Sequence, residues 1–293
     1  MNVIENFRLF LLNERNYSLL TAKAYCRDIK SFIFFSKKEF SKDLVRLTSD
    51  EVRAWIVSLK KNKNGARTIN RKISSLKSFF KFCLRESLIK ENPMVSIRSL
   101  KTSIPLPNVL SSKSLDKLFD SKLFFSNDFV GLRDRFILEL FYMTGIRLSE
   151  LINLKVIHID KYSAQLKVTG KRKRQRIIPL TPKIIKLFES YMDMRNEQTQ
   201  KSEYLFYSLK GQKSYEKMIY RIVNKYLKKI SSLKKTSPHV LRHAFATHLI
   251  NNGANLNSIK ELLGHSSLLS TQVYTHISSD KIKKVFKETH PRG

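Results

Sequence analysis

"SPHVLRHAFATHLI", residues 237–250, decides how the rest of the chain is read. A serine followed by proline predicts a helix start, with Ser237 as N-cap and Pro238 at the first helical position. Leu241, Phe245 and Leu249 then share one face, which reads as core. His239, Arg242, His243 and Ala246 follow at spacings i, i+3, i+4 and i+7 on another face. A helix start that gathers His and Arg suits an anion, because the unpaired backbone N–H groups and the helix dipole already favour negative charge there.

The composition says which anion to consider. The chain has 56 Lys and Arg against 24 Asp and Glu, a net charge of +32. That excess favours a polyanionic partner, nucleic acid ahead of an anionic membrane. With 293 residues, 42% hydrophobic and 27% charged, the chain is long enough for two cored domains and is expected to be a soluble globular protein. Glu5 and Arg8 interrupt the first apolar stretch, and no apolar run approaches the roughly 20 residues that span a bilayer. No signal peptide, no membrane segment and a cytoplasmic location are therefore expected. Cys26 and Cys83 lie in apolar helical contexts without a Cys or His partner at zinc-ligand spacing. They read as reduced core residues, and no metal or other cofactor is expected.

Outward from the opening stretch, apolar spacing predicts helices in both halves. Ile4, Phe7, Phe10 and Leu11 form one stripe, and Ala22, Tyr25, Ile29, Phe32 and Ile33 another, in a helix over about 18–35. Thr48 and Glu51 form a capping box ahead of Val52, Trp55, Ile56 and Leu59. A fourth helix, about 68–86, carries Ile73, Leu76, Phe79, Phe80 and Cys83. Residues 1–103 hold 22 basic and 9 acidic residues, a net +13, which fits a small helical DNA-binding domain. The basic stretch "KKNKNGARTINRKISSLK" between the last two helices reads either as a DNA-facing segment or as a solvated loop. Pro105 and Pro107 place a linker at 104–108. Residues 109–293 form the second domain, and the chain after Ser103 carries 34 basic and 15 acidic residues, a net +19. It opens with helices at 112–120 and 131–143, the second closed by Gly145. "SAQLKV" (163–168) and "RIIPL" (176–180) alternate like paired strands around the turn "TGKRKRQ" (169–175). Helices dominate from Thr181 onward. The fold class is mostly α with a small antiparallel β-sheet.

Four stretches carry chemistry. "TGIRLSEL" (144–151) sets Arg147 just after a Gly-closed helix, and "VTGKRKRQRIIPL" (168–180) sets Lys171 on the hairpin turn. The opening stretch supplies His239 and Arg242. "LGHSSLLSTQVYTH" (263–276) sets His265 after a second Gly cap and Tyr274 nine residues later. Alone, each has an ordinary structural reading: a surface arginine, a solvated lysine, a capping histidine, one of eleven tyrosines.

Together, in this order, the set resembles the tyrosine recombinase (phage integrase-like) family, most closely its bacterial Xer members. The family order is Arg, Lys, His-x-x-Arg, Gly-His and Tyr, which falls here on Arg147, Lys171, His239 with Arg242, His265 and Tyr274. The flanks "TGIRLSEL", "PHVLRHAFATHL", "LLGHSSLLSTQVYTH" and "HPRG" are similar too, and the likeness runs along nearly the whole chain. Arg172 departs from the pattern, which usually shows Gly after the Lys, so Lys173 stands as the alternative to Lys171. The resemblance implies an N-terminal helical core-binding (SAM-like) domain and an α-rich catalytic domain that close as a clamp on double-stranded DNA. It implies a homo- or heterotetramer with a related recombinase, activation by a septal DNA translocase, and resolution of chromosome dimers at cell division. A mobile-element integrase or invertase, a type IB topoisomerase and an inactive DNA-binding relative are the rival readings.

The residue types fit that chemistry. A Tyr hydroxyl can attack phosphorus. Two arginine forks and His265 can hold the non-bridging oxygens as charge builds. Lys171 can protonate the leaving 5′-oxygen, and His239 can exchange a proton with the Tyr hydroxyl. The covalent 3′-phosphotyrosyl bond conserves bond energy, so ATP is not needed, and no G-x-x-x-x-G-K-[ST] motif is present. Glu150, three residues after Arg147, reads as a partner that orients an arginine. His243 and His276 read as structural or phosphate-contacting. Residues 278–293 read as one short helix whose apolar set, Ile282, Val285 and Phe286, docks on a neighbouring protomer rather than on its own domain.

Overall fold

The computed structural model describes residues 3–42, 47–102, 110–121, 123–170, 175–198, 202–233, 236–264 and 288–292. The chain divides into two units, Met1–Leu106 and Pro107–Gly293. Residues 104–108, expected to be the linker, lie outside the described residues.

Among its described residues the first unit holds four helices: α1 (Val3–Asn13), α2 (Leu19–Phe40), α3 (Ser49–Lys61) and α4 (Ala66–Arg85). Their starts are set by local chemistry. Ser18 caps α2 by accepting from the Thr21 N–H. Thr48 and Glu51 form the expected capping box on α3, the Glu51 carboxylate accepting the Thr48 N–H at 2.7 Å. The helix over 18–35 runs five residues further, to Phe40. Phe7, Phe32, Trp55, Phe79 and Phe80 fill the centre, with Phe32 and Trp55 rings 5.1 Å apart. A charge is buried among these helices: Asp28 of α2 takes Arg71, Lys72 and the Ser75 hydroxyl of α4. Two basic residues and a hydroxyl offset the cost of burying the carboxylate and pin α2 to α4. Cys26 and Cys83 are free and buried, and burial pushes the Cys83 thiol up to about 12.

In the second unit α5 (Ser112–Asp120) leads to α6 (Phe129–Thr144), the central helix. Phe136 to Tyr142 of α6 are all shielded from solvent, the one charge among them, Glu139, paired with Arg135 at 2.9 Å. It packs against α8 (Pro182–Asn196) and α10 (Pro238–Asn251). After α7 (Leu148–Ile152) comes an antiparallel sheet ordered β1 (Ile159–Asp160), β2 (Gln165–Thr169), β3 (Gln175–Pro179). The two strands read from the sequence pair as expected, and β1 is a two-residue addition too short for any periodicity. α9 (Glu216–Ile230) and α11 (Leu256–Leu263) follow among the described residues. Leu241, Phe245 and Leu249 of α10 are fully buried, as their spacing predicted. Ser237 does precede α10 in extended conformation, but its hydroxyl makes no capping bond. Among the described residues no helix is long and apolar enough to cross a membrane.

Residues 288–292 are seated on their own unit. Asn252 donates to the Thr289 carbonyl at 2.7 Å, and His290 Nε2 donates to the Tyr142 carbonyl at 3.2 Å. Arg292 bridges Asp116 and Asp120 of α5, both at 2.8 Å. His290 and Arg292 make this seat through polar contacts. Ile282, Val285 and Phe286 lie outside the described residues. Beneath His290, His248 Nε2 donates to the Leu110 carbonyl and its Nδ1 accepts from the Tyr142 hydroxyl, both at 2.9 Å. Since a carbonyl can only accept, this chain of bonds fixes the neutral tautomer of His248.

Candidate phosphate-binding site

The site begins where α6 ends. Gly145 closes that helix at φ +58°, in the left-handed region that favours glycine, and the chain turns directly into α7. Arg147 stands at the α7 N-cap. Its backbone N–H donates to Glu150 Oε2 at 2.9 Å, and its Nη1 donates to Glu150 Oε1 at 2.8 Å. Glu150 therefore holds Arg147 at both ends, as the three-residue spacing predicted.

A third residue joins them from the sheet. Arg176, opposite the buried Val168 across β2 and β3, sets its two terminal nitrogens on the two oxygens of Glu150 at 2.8 and 2.9 Å. This is a parallel fork on a carboxylate, the strongest geometry such a pair can adopt. Burial alone would raise the Glu150 carboxyl, but the bonds from Arg176 and Arg147 outweigh it and bring it down to about 2. Glu150 is thus ionised at neutral pH.

The last part is the end of α11. Arg176 Nε donates to the Leu262 carbonyl at 2.7 Å, Arg242 Nη2 to the Leu263 carbonyl at 2.8 Å, and Arg147 Nη2 to the Gly264 carbonyl at 2.7 Å. Arg242 also donates through Nη1 to the Gly145 carbonyl. Three successive carbonyls that a helix leaves unpaired at its C-terminus are each taken by a different arginine, which the negative end of the helix dipole favours. Gly264 must be small and left-handed for this: at φ +62°, an added Cβ would stand 3.1 Å from Arg176 Nη1 and 3.4 Å from Arg147 Nη1.

Three guanidiniums thus gather at the end of α11, two of them bonded to the one carboxylate, leaving two positive charges in excess. Burial, then the charges of Arg147 and Arg176, lower Arg242 to about 10, which leaves it protonated at neutral pH. Exposure separates the arginines by role. The Arg147 side chain keeps 33% of its surface open, whereas Arg176 keeps 13% and Glu150 3%. Arg147 can meet an anion, and Arg176 and Glu150 lie behind it. His239 sits exposed one turn before Arg242 on α10, and His243 is exposed beside it. Among the described residues no cluster of His, Cys, Asp and Glu could hold a metal ion.

Of the six residues singled out from the sequence, the structure brings Arg147 and Arg242 to the end of α11 and places His239 on the helix of Arg242. Lys171, the alternative Lys173, His265 and Tyr274 lie outside the described residues. Arg176 was missed. Its signal was present, because it shares the inward face of β3 with the buried Ile178, where a charged residue needs a partner.

Comparison with known proteins identifies the family. The description "Phage integrase family" matches residues 109–281, and "Phage integrase, N-terminal SAM-like domain" matches residues 4–87. Tyrosine recombinase XerC of Oceanobacillus iheyensis is 37% identical, covering 99% of this chain and 96% of its own. Tyrosine recombinase XerD of Listeria monocytogenes is 33% identical, covering 100% and 99%. Among solved structures, the XerH site-specific recombinase bound to a palindromic difH substrate superposes with a TM-score of 0.74, at 22% identity over 96% of this chain and 83% of that one. The Tn1549 transposon integrase bound to a circular intermediate DNA gives 0.73, at 20% identity over 98% and 99%. These two likenesses concern the fold.

Proposed function

Because the chain belongs to the phage integrase family and is a tyrosine recombinase of the Xer type, we propose that it cuts and rejoins DNA at a specific site through Tyr274. The Tyr274 oxygen attacks the scissile phosphorus and the bond from phosphorus to the 5′-oxygen breaks, leaving a 3′-phosphotyrosyl link. The phenolic proton passes to His239, and Lys171, or Lys173 in its place, protonates the departing 5′-oxygen. Arg147 and Arg242, joined by His265, hold the non-bridging oxygens as charge develops. The 5′-hydroxyl of a partner strand then reverses the step. The phosphotyrosyl link keeps the energy of the broken ester, so in this reading the cycle runs without ATP, and the arginines supply the charge stabilisation that a metal supplies elsewhere.

The observation that carries this reading is the excess positive charge gathered by Arg147, Arg242 and Arg176 around Glu150 at the end of α11. Such a seat fits a singly charged phosphodiester between fixed forks. The N-terminal helical domain, the linker and the catalytic domain are read as 1–103, 104–108 and 109–293, the first domain adding its +13 to the grip on duplex DNA. Four protomers, of this chain or with a related recombinase, would exchange strands in pairs. As the Xer resemblance implies, the reaction is read as resolution of chromosome dimers at division in the cytoplasm, with a septal DNA translocase as activator. The match to the phage integrase family keeps a mobile-element role as the second reading.

The test is a plasmid carrying two direct copies of the host chromosome's terminus region, incubated with the protein. Dimer resolution predicts excision of a circle that breaks and rejoins at one sequence. Recombination only at the ends of a mobile element would support the second reading, and relaxation of the plasmid without recombinants would point to a topoisomerase.

A further inference from the structure

We propose that Arg176 is a positioning residue for the cleavage step, acting through Glu150 on Arg147 and through Leu262 on the end of α11. This rests on the recombinase reading above. Arg176 spends three N–H donors on two partners that arrive from different parts of the chain. Two bind the carboxylate of Glu150 at 2.8 and 2.9 Å, and the third binds the Leu262 carbonyl at 2.7 Å. The same carboxylate holds the Arg147 side chain at 2.8 Å, and Arg147 in turn holds the Gly264 carbonyl at 2.7 Å. Four groups therefore close a ring: Arg176, Glu150, Arg147 and the last carbonyls of α11. His265, read as a phosphate donor, follows Gly264 directly in sequence.

Arg176 itself is too buried to touch a phosphate, with 13% of its side chain open. Its work is to fix the plane of the Glu150 carboxylate, which otherwise could turn and carry the Arg147 fork with it. It also ties β3, at the foot of the hairpin that bears Lys171, to the helix end beside Arg147 and Arg242. Lysine cannot replace it. A single ammonium reaches one partner as a point charge and cannot hold both carboxylate oxygens and a carbonyl in one plane. Because a misplacement of about 1 Å can cost roughly 100-fold in rate, loss of this ring is expected to slow cleavage by roughly 10- to 100-fold.

The test separates positioning from plain stability. Wild-type protein is first incubated with a pool of nicked random-sequence duplexes, and the DNA captured covalently defines the substrate. Two versions of that duplex are then cut by Arg176→Lys and by wild type, one with the ordinary scissile phosphate and one with a methylphosphonate there. The methylphosphonate lacks the charge that Arg147 and Arg242 stabilise. The expected result is a 10- to 100-fold loss on the phosphate that largely disappears on at least one methylphosphonate diastereomer, with duplex affinity unchanged. An equal loss on both substrates means that Arg176 only supports the fold, and no loss on either means that it positions nothing. Both overturn the proposal. If melting curves show that Arg176→Lys does not fold, Glu150→Gln breaks the same fork from the other side and must give the same phosphate-selective loss, or the proposal fails. A wild-type protein that captures no DNA refutes the recombinase reading and takes this role with it, whereas capture with an unaffected Arg176→Lys refutes the role alone.

Discussion

Gly145→Ala strikes the joint between the core and the site, and its cost can be worked from the geometry. Gly145 has φ +58°, where an L side chain is strained by about 1–2 kcal/mol. The new Cβ would stand 2.5 Å from Phe245 Cδ1 and 2.7 Å from Leu263 Cδ2, distances that packed carbon atoms do not adopt. Neither neighbour can swing into water, since Phe245 is fully buried and Leu263 nearly so. Relieving such an overpacked contact costs about 1–3 kcal/mol more, for a total of about 2–5 kcal/mol. In a unit of this size that lowers Tm by roughly 5–20 °C. Gly253→Ala is the internal control. Gly253 also has a positive φ, +85°, but open space around it, so only the conformational cost of about 1 kcal/mol applies. Urea denaturation of the three proteins gives both numbers. Because Leu263 and the Gly145 carbonyl both hold Arg242, the folded Gly145→Ala protein should also cleave DNA more slowly. If Gly145→Ala costs no more than Gly253→Ala, the packing argument is wrong.

Burial drives His290 from 6.5 down to about 4, so the folded state rejects a proton that the unfolded chain accepts. The stability held by neutral His290 is complete above about pH 6.5 and is lost as the pH falls toward 4. The difference is about 2 kcal/mol at pH 5, read as intrinsic-rate-corrected hydrogen exchange at residues 288–292; flat exchange between pH 7 and 5 would contradict it. Arg147→Ala and Arg242→Ala should each slow cleavage at least about 100-fold in single-turnover assays, with Lys restoring little, since a point charge cannot reproduce a fork. Full activity in either Lys variant would assign these arginines to structure alone. Binding to duplex DNA should weaken by roughly a thousandfold or more between 50 and 200 mM salt if six or more phosphates are neutralised; a flat titration would exclude an encircling grip.

Much of this was legible in the chain because it depends on local order. Phe79, Phe80 and Cys83 are buried where a 3.6-residue period puts them, Thr48 and Glu51 cap the helix that their spacing marks, and Gly145 ends α6 as a C-terminal glycine does. The facing of β3 was also fixed by alternation, so Arg176 could have been found as a charge on an inward position. What the arginines hold could not be found that way. The carbonyls of 262–264 are ordinary residues in sequence, and only the fold brings residues 86 positions apart, such as Arg176 and Leu262, into contact. The seat of residues 288–292 was hidden for a related reason: it is made by His290 and Arg292 with partners on α5 and α6, more than a hundred positions away.

The central claim is that Tyr274 becomes bonded to DNA. The direct measurement is peptide mapping by mass spectrometry of the covalent adduct that the wild-type protein forms on a nicked duplex of its captured sequence. The account predicts a 3′-phosphonucleotide on the peptide that contains Tyr274, and no adduct from Tyr274→Phe even though that variant binds the duplex within a few-fold of wild type. An adduct carried by another tyrosine, or one still formed by Tyr274→Phe, would contradict it.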